Sequence, residues 1–348
     1  MKINVHAFAA RAAFAIAIVF ALGRFSEAAA QAYDGKERIN LIIGYEQGGG
    51  YDVYGRFVAQ MLGRQLPGEP RIVPQNMPGA GSLKAANYIY NIAPKDGTAI
   101  GTVSQSIAFM QLLGQKGIQF DAAKFSWIGR MSDVVSLIGV WHTAPVKTIE
   151  EAKTKEVTIA VGGALSGSVL YVSFLNALTG TKLKPIAGYT GNQSHLAMER
   201  GEVDGSSSLL WSAIHAQYPY WITENKVRIL VQVGLERHPE LQDVPLVTDL
   251  ATNEDDRKVL SAISSSDVIG RSLLAPPGLP RERLEALRRG FEAMFRNPEA
   301  IELAKRMKLD LNPLSGEKLT EVVAQSNQLS PELVAKIRKL AGAEESGG

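Results

Sequence analysis

Apolar and polar positions alternate along this chain in two rhythms, and their order predicts the fold class. Residues 38–44 (RINLIIG) form a short, nearly continuous apolar run ending in glycines, the pattern of a strand buried on both faces. Asp52 then opens a stretch in which Val53, Tyr54, Phe57, Val58, Met61 and Leu62 recur at helical spacing. Residues 71–76 read as a second strand stopped by Pro78-Gly79, and Ser82 is placed to cap a helix that Pro94 ends. Residues 98–103 supply a third strand. This β-α-β-α-β order predicts a mostly parallel sheet with helices on both faces.

The rhythm restarts near Asp133. Residues 134–141 are apolar, Thr148 and Glu151 have capping-box spacing, and residues 157–161 read as a strand. A Gly/Ser-rich segment over 162–168 leads into a helix. Further strands are predicted over 184–187, 206–210 and 227–233, with a helix around residues 196–200. The last third reads as helices over 280–295, 298–307, 316–326 and 331–340, the last opened by an N-cap and first-turn proline, Ser330-Pro331. Two α/β units joined by one strand leading out and another leading back predict two lobes with a cleft between them. The expected division is a leader over 1–32, lobe I over 33–136, lobe II over 137–232, and a return to lobe I with C-terminal helices over 233–348.

The leader changes the reading of the charge. Lys2 and Arg11 give a positive segment before an apolar run over residues 12–23, which is shorter than the ~20 residues a spanning helix needs. Small residues follow, which predicts export and cleavage near Ala30 or Ala32. The full chain of 348 residues has 37 Lys+Arg against 35 Asp+Glu. The leader holds Lys2, Arg11, Arg24 and Glu27, so its removal leaves 34 of each sign. A balanced chain without a basic cluster excludes a nucleic-acid binder and a polybasic membrane-surface protein. With no cysteine, neither a disulfide nor a lipid-modified thiol tethers the mature chain.

Candidate chemistry lies in four strand-to-helix loops, where ligands of open parallel sheets sit. The first runs over 45–52 and contains Tyr45, Gln47, Gly48, Gly49, Gly50 and Asp52; three glycines before a helix let backbone N–H groups close on an anion. The second holds Ser104 and Gln105, the third Gly163, Ser166 and Ser168, and the fourth Tyr189, Gly191, Asn192 and Gln193. Asp204 suits a bond to loop backbone or a ligand amine, and equally a turn cap. Dinucleotide and P-loop readings fail because neither G-x-G-x-x-G nor G-K-[ST] is present. No metal-ligand spacing joins the histidines, no serine lies in G-x-S-x-G, and no cofactor or catalytic residue is expected. His195 reads as a core-edge residue, and the aromatic stretch Trp211, Tyr218, Tyr220 and Trp221 as lobe packing.

Several landmarks in fixed order resemble a family. RINLIIGYEQGGGYD (38–52), RIVPQNMPGAG (71–81), APKDG (93–97), GEVD (201–204), His238-Pro239 followed by Asp243-Val244-Pro245, and LLAPPGLP (273–280) resemble the solute-binding proteins of tripartite tricarboxylate transporters, the Bug receptors. The resemblance implies a two-lobed, type II periplasmic binding protein that closes on a small organic carboxylate and delivers it to a permease of two integral membrane subunits. It also implies a monomer, no enzymatic step, and ligand carboxylates held by the loops at 45–52 and 188–194. Glu46-Gln47 and Asn192-Gln193-Ser194-His195 depart from the family pattern, which leaves aromatic acids, amino acids and amides open as ligands. Two other readings share the sequence: a ligand-presenting sensor for a kinase, and an exported hydrolase or isomerase using His195 and Asp204.

Overall fold

The computed structural model describes residues 33, 36–162, 166–189, 191–326 and 329–343. The predicted leader and Gly163 lie outside the described residues. The first sheet contains β1 (Arg38–Ile43), β2 (Arg71–Asn76), β3 (Ala99–Thr102) and β4 (Ser126–Ser132), with β10 (Arg271–Ala275) and β11 (Leu314–Ser315) arriving from the C-terminal third. Its order is β11-β4-β10-β3-β1-β2. The second contains β5 (Ser136–Trp141), β6 (Val157–Ala160), β7 (Leu183–Ile186), β8 (Gly205–Leu210) and β9 (Val227–Gln232), in the order β7-β6-β8-β5-β9.

Both sheets are mixed, which corrects the expectation of mostly parallel ones. In the first, β1 pairs in parallel with β2 and β3, but β10 runs antiparallel to β3 and β4. In the second, β6 pairs in parallel with β7 and β8, and β5 is antiparallel to β8 and β9. The reversed strands are the ones that cross between lobes or return from the C-terminal third, so local βα rhythm could not reveal them. Pro74 and Pro185 lie in β2 and β7, both at sheet edges, where a missing N–H donor removes no interior ladder bond.

Helices cover both faces of each sheet. On the first, α1 (Gly50–Met61) buries Tyr54, Phe57, Val58 and Met61 with α9 (Arg281–Met294) and α10 (Pro298–Arg306). The opposite face is covered by α2 (Leu83–Asn91), α3 (Ile107–Leu112) and α11 (Gly316–Ser326). Against the second sheet lie α4 (Gly167–Thr179) and α8 (Glu254–Ile269), and on its other side α5 (Gly191–Glu199), α6 (Trp211–Gln217) and α7 (Pro219–Thr223). The last helix, α12 (Pro331–Leu340), places Leu333 and Ile337 in the core of the second lobe. Phe109 of α3 meets Phe174 of α4 edge-on at 6.4 Å, so the lobes share apolar packing.

Several sequence expectations change locally. Thr148 accepts a hydrogen bond from Glu151 N at 3.3 Å, but the Glu151 carboxylate returns to Lys147 N, and only a single 3₁₀ turn forms. Ser82 stands before α2 in left-handed backbone (φ 80°) without capping it. Its hydroxyl instead accepts from Ser104 N at 3.2 Å, tying the α2 entrance to the loop after β3. A Cβ on Gly44 would fall 1.9 Å from Ser82 Oγ. Gly44→Ala should therefore displace Ser82 and cost about 1–3 kcal/mol, seen as a lower urea midpoint with an unchanged m-value.

Candidate functional site

The glycine loop is shaped by a buried carboxylate. Asp52 is 2% exposed; its Oδ2 accepts from Gly48 N at 2.9 Å and Arg56 Nε at 2.8 Å, and its Oδ1 accepts from Asn76 Nδ2 at 2.9 Å. Burial alone pushes this carboxyl up, but the bonds from Arg56, Gly48 and Asn76 outweigh it and hold the pKa at about 2. Asp52 is therefore a tie within the loop and not a ligand group, and Gly48 N–H is occupied by it. Gly48 itself needs its φ of +83°, a conformation that favours glycine.

What remains open is the start of α1. Gly49 is extended, no side chain caps the helix, and the first intrahelical bond runs from Val53 N to Gly49 O. The N–H groups of Gly50 and Tyr51 therefore lack an intrahelical acceptor. Tyr45 stacks on Tyr51 with centroids 4.3 Å apart, while Glu46 and Gln47 are exposed. The Tyr51 hydroxyl donates to Gln105 Oε1 at 3.3 Å and accepts from Gln105 N at 3.0 Å, which joins the first two predicted loops. Ser104 is buried, and its hydroxyl accepts from Ser106 N, so it organises that loop from beneath.

In the second lobe, Ser168 Oγ accepts from Gly162 N at 3.0 Å and Ser166 opens α4 as its N-cap. Ser166 and Tyr171 border a cavity of about 140 Å³ with Ser106 and Ser266, which brings the second and third loops together across the lobes. Tyr189 N donates to Val161 O, placing the fourth loop beside the third, and Asn192 and Gln193 are exposed on α5. Gly191 begins that helix.

Asp204 lies elsewhere. Its Oδ2 accepts from Thr158 N at 2.8 Å and Thr158 Oγ1 at 2.6 Å, at the entering ends of β6 and β8, opposite the loops that leave β6. Asp204 ties the turn before β8 to the neighbouring strand β6 and caps no turn of its own, and the expected ligand role is corrected. His195 is buried between Tyr218 and Trp221 in edge-on contacts of 4.9 and 5.3 Å. Neither ring nitrogen has a hydrogen-bond partner, and burial lowers its pKa against the opposing pull of Glu199. It is a core residue, far in role from a catalytic base. Of the aromatic stretch, Trp211, Tyr218 and Trp221 pack as expected over two short helices, whereas Tyr220 is exposed and its hydroxyl donates to Glu199.

Sequence reasoning missed Asp267 on α8. Its Oδ1 accepts from Gln105 Nε2 at 3.0 Å and Tyr171 OH at 3.1 Å, and its Oδ2 from Ser136 N at 3.2 Å. One carboxylate thus joins a first-lobe loop, a second-lobe helix and a crossing strand. Burial pushes its pKa up to about 7 against the lowering effect of these bonds. A signal was available: Ser264-Ser265-Ser266-Asp267 is a polar run inside a helix, and all four residues are buried. A larger cavity of about 550 Å³ also borders Asp267, but Arg130, Glu236 and Lys318 line it and none of the four loops does.

The model of the tripartite tricarboxylate transporter family receptor matches residues 55–339. The chain belongs to this family. A UPF0065 protein of Bordetella bronchiseptica is 28% identical over 280 residues, covering 78% of this chain and 77% of the relative. A TctC solute-binding protein from Polaromonas has the same fold at a TM-score of 0.67 and 20% identity, covering 88% of this chain and 98% of that one. An R. palustris protein solved with adipate matches at a TM-score of 0.58 and 18% identity, covering 88% and 97%. The family is one of receptors, so the receptor described here is a binding protein and not an enzyme.

Two consequences are measurable. Asp52→Ala leaves Gly48 N–H and Asn76 without their acceptor and should cost about 1–3 kcal/mol at neutral pH, read by urea denaturation. The wild-type advantage should shrink as pH falls toward 2, because a depressed carboxyl stabilises the fold only while ionised. Asp267 has the opposite sign. Its raised pKa means that the folded state holds a proton the unfolded chain has released, so stability should decline as pH rises from about 4 to 7. Asp267→Asn should remove that slope from the urea midpoint measured across this range, and an unchanged slope would contradict the assignment.

Proposed function

We propose that the receptor works in the periplasm, capturing a small organic carboxylate (a di- or tricarboxylate or an aromatic acid) and handing it to the two integral membrane subunits of a tripartite tricarboxylate permease. The observation that carries this reading is the uncapped start of α1, where Gly49 is extended and no side chain satisfies the first turn. Backbone N–H groups at a helix N-terminus attract an anion through the helix dipole. Family membership supports the receptor role, and the adipate held by the R. palustris protein supports a carboxylate as cargo.

In this reading, residues 33–136 form most of one lobe and 137–232 most of the other, with 233–348 shared between them, and the two close over the ligand by a hinge motion. Strands β10 and β11 and helices α9–α11 return to the first sheet while α8 and α12 pack on the second, which departs from the expected return of the whole segment to lobe I. Gly49, Gly50 and Gln105 receive one end of the acid. Ser166, Tyr189, Asn192 and Gln193 face the other end from the second lobe. The leader is removed near Ala30 or Ala32, and the mature chain acts as a monomer. With 34 charges of each sign after cleavage, net charge does not attract the ligand, so selection rests on local geometry.

Titration calorimetry of the mature chain against adipate, malate, citrate, benzoate, glutamate and glucose tests the proposal. At least one carboxylate should bind with a micromolar or tighter Kd. Binding of glucose alone, with silence from every acid, would refute the carboxylate reading.

A further inference from the structure

Arg271 begins β10, four residues after Asp267, and its side chain reaches the start of α1. A Cβ on Gly50 would lie 3.8 Å from both Nε and Nη2 of Arg271. These two atoms form the edge of a guanidinium that grips a carboxylate through two parallel N–H···O bonds. The guanidinium carbon stands 4.9 Å from the centroid of the Tyr54 ring, and the Tyr54 hydroxyl donates to Asp310 O at 2.7 Å. The group thus rests against an anchored aromatic face.

Arg271 Nε is buried and has no hydrogen-bond partner. Among the described residues the guanidinium enters no ion pair. Other arginines of the same lobe do: Arg56 pairs with Asp52, Arg283 with Glu37 and Arg288 with Glu317. A partly enclosed guanidinium with unused donors is unfavourable unless an anion completes it. Next to it stands an uncapped helix N-terminus, a second positive pole with unused donors. Two like poles facing one gap repel each other until something negative enters.

We propose that Arg271 is a specificity-determining residue, which takes one ligand carboxylate bidentately while Gly50 and Tyr51 N–H groups donate to the same group. This deepens the carboxylate-receptor reading and rests on it. It assigns the ligand a fully ionised acid at this end, so an amide or ester of the same skeleton is discriminated against. Gly50 has a distinct part: without a side chain there, no Cβ stands against the Nε–Nη2 edge.

The test uses the acid from the calorimetric panel that binds the wild-type mature chain most tightly, together with its monoamide. Arg271→Gln should weaken the acid by about tenfold or more and remove most of the preference over the monoamide, since a neutral side chain forgoes the charge-assisted pair. Arg271→Lys, which keeps the charge but lacks the fork, should fall between. Gly50→Ala fills the gap at ordinary contact distance, and alanine favours helix, so its ligand-free melting temperature should be no lower than wild type while affinity drops. If wild type binds an acid and both Arg271→Gln and Gly50→Ala bind it within twofold, the inference is wrong and the receptor reading stands. If wild type binds no acid, both fall together.

Discussion

A carboxylate removed from water constrains this molecule more than any other group. Asp267 is 2% exposed, and leaving it without donors would be costly. Its three donors come from Gln105, Tyr171 and Ser136, which lie far apart in sequence and belong to different parts of the fold. Satisfying it therefore requires that the loop after β3, helix α4 and strand β5 all stand in register with α8. Val134 N also donates to the Asp267 carbonyl, so the crossing segment is tied to this residue through backbone and side chain alike.

The corner that follows is equally constrained. Gly270 has a φ of +51°, and a Cβ there would fall 2.2 Å from Ser132 O, so only glycine turns α8 sharply into β10. That turn places Arg271 against the start of α1 and slots β10 between β3 and β4. One helix-to-strand corner thereby delivers an interlobe carboxylate on its near side and a guanidinium on its far side. Both influence Tyr51, where burial raises the hydroxyl pKa first of all, Arg271 counteracts it and Asp267 adds to it. The first-lobe half of the cleft is thus an electrostatic arrangement assembled from residues 45–52, 105 and 267–271.

Much of the fold was legible in the sequence because its strands and helices carry clean periodicity. The runs at β1, β3 and β6 and the helical spacing in α1 and α4 are each set by a buried face, and burial acts on every residue locally. Other parts were not legible for physical reasons. The helix α8 is not legible because Ser264, Ser265, Ser266 and Asp267 put polar groups where a core-facing pattern expects apolar ones. Those polar groups are tolerated through partners elsewhere in the chain, such as Ser264 Oγ donating to Leu260 O and Tyr171 OH donating to Asp267. Asp52 and Asp204 stand out in the sequence without showing their role, since an acid beside glycines looks alike whether it meets a ligand or its own protein.

The sequence by itself determined the two α/β units, the glycine loop at a helix start and the family, because each depends on residue type at short spacing. Only the tertiary structure decided which of those loops meet, which carboxylates are ties within the protein, and that both sheets are mixed. These outcomes depend on hydrogen-bond partners that are far apart in sequence, such as Gln105 and Asp267, separated by 162 positions. A buried charge is settled by where its donors lie in space, and no local pattern records that.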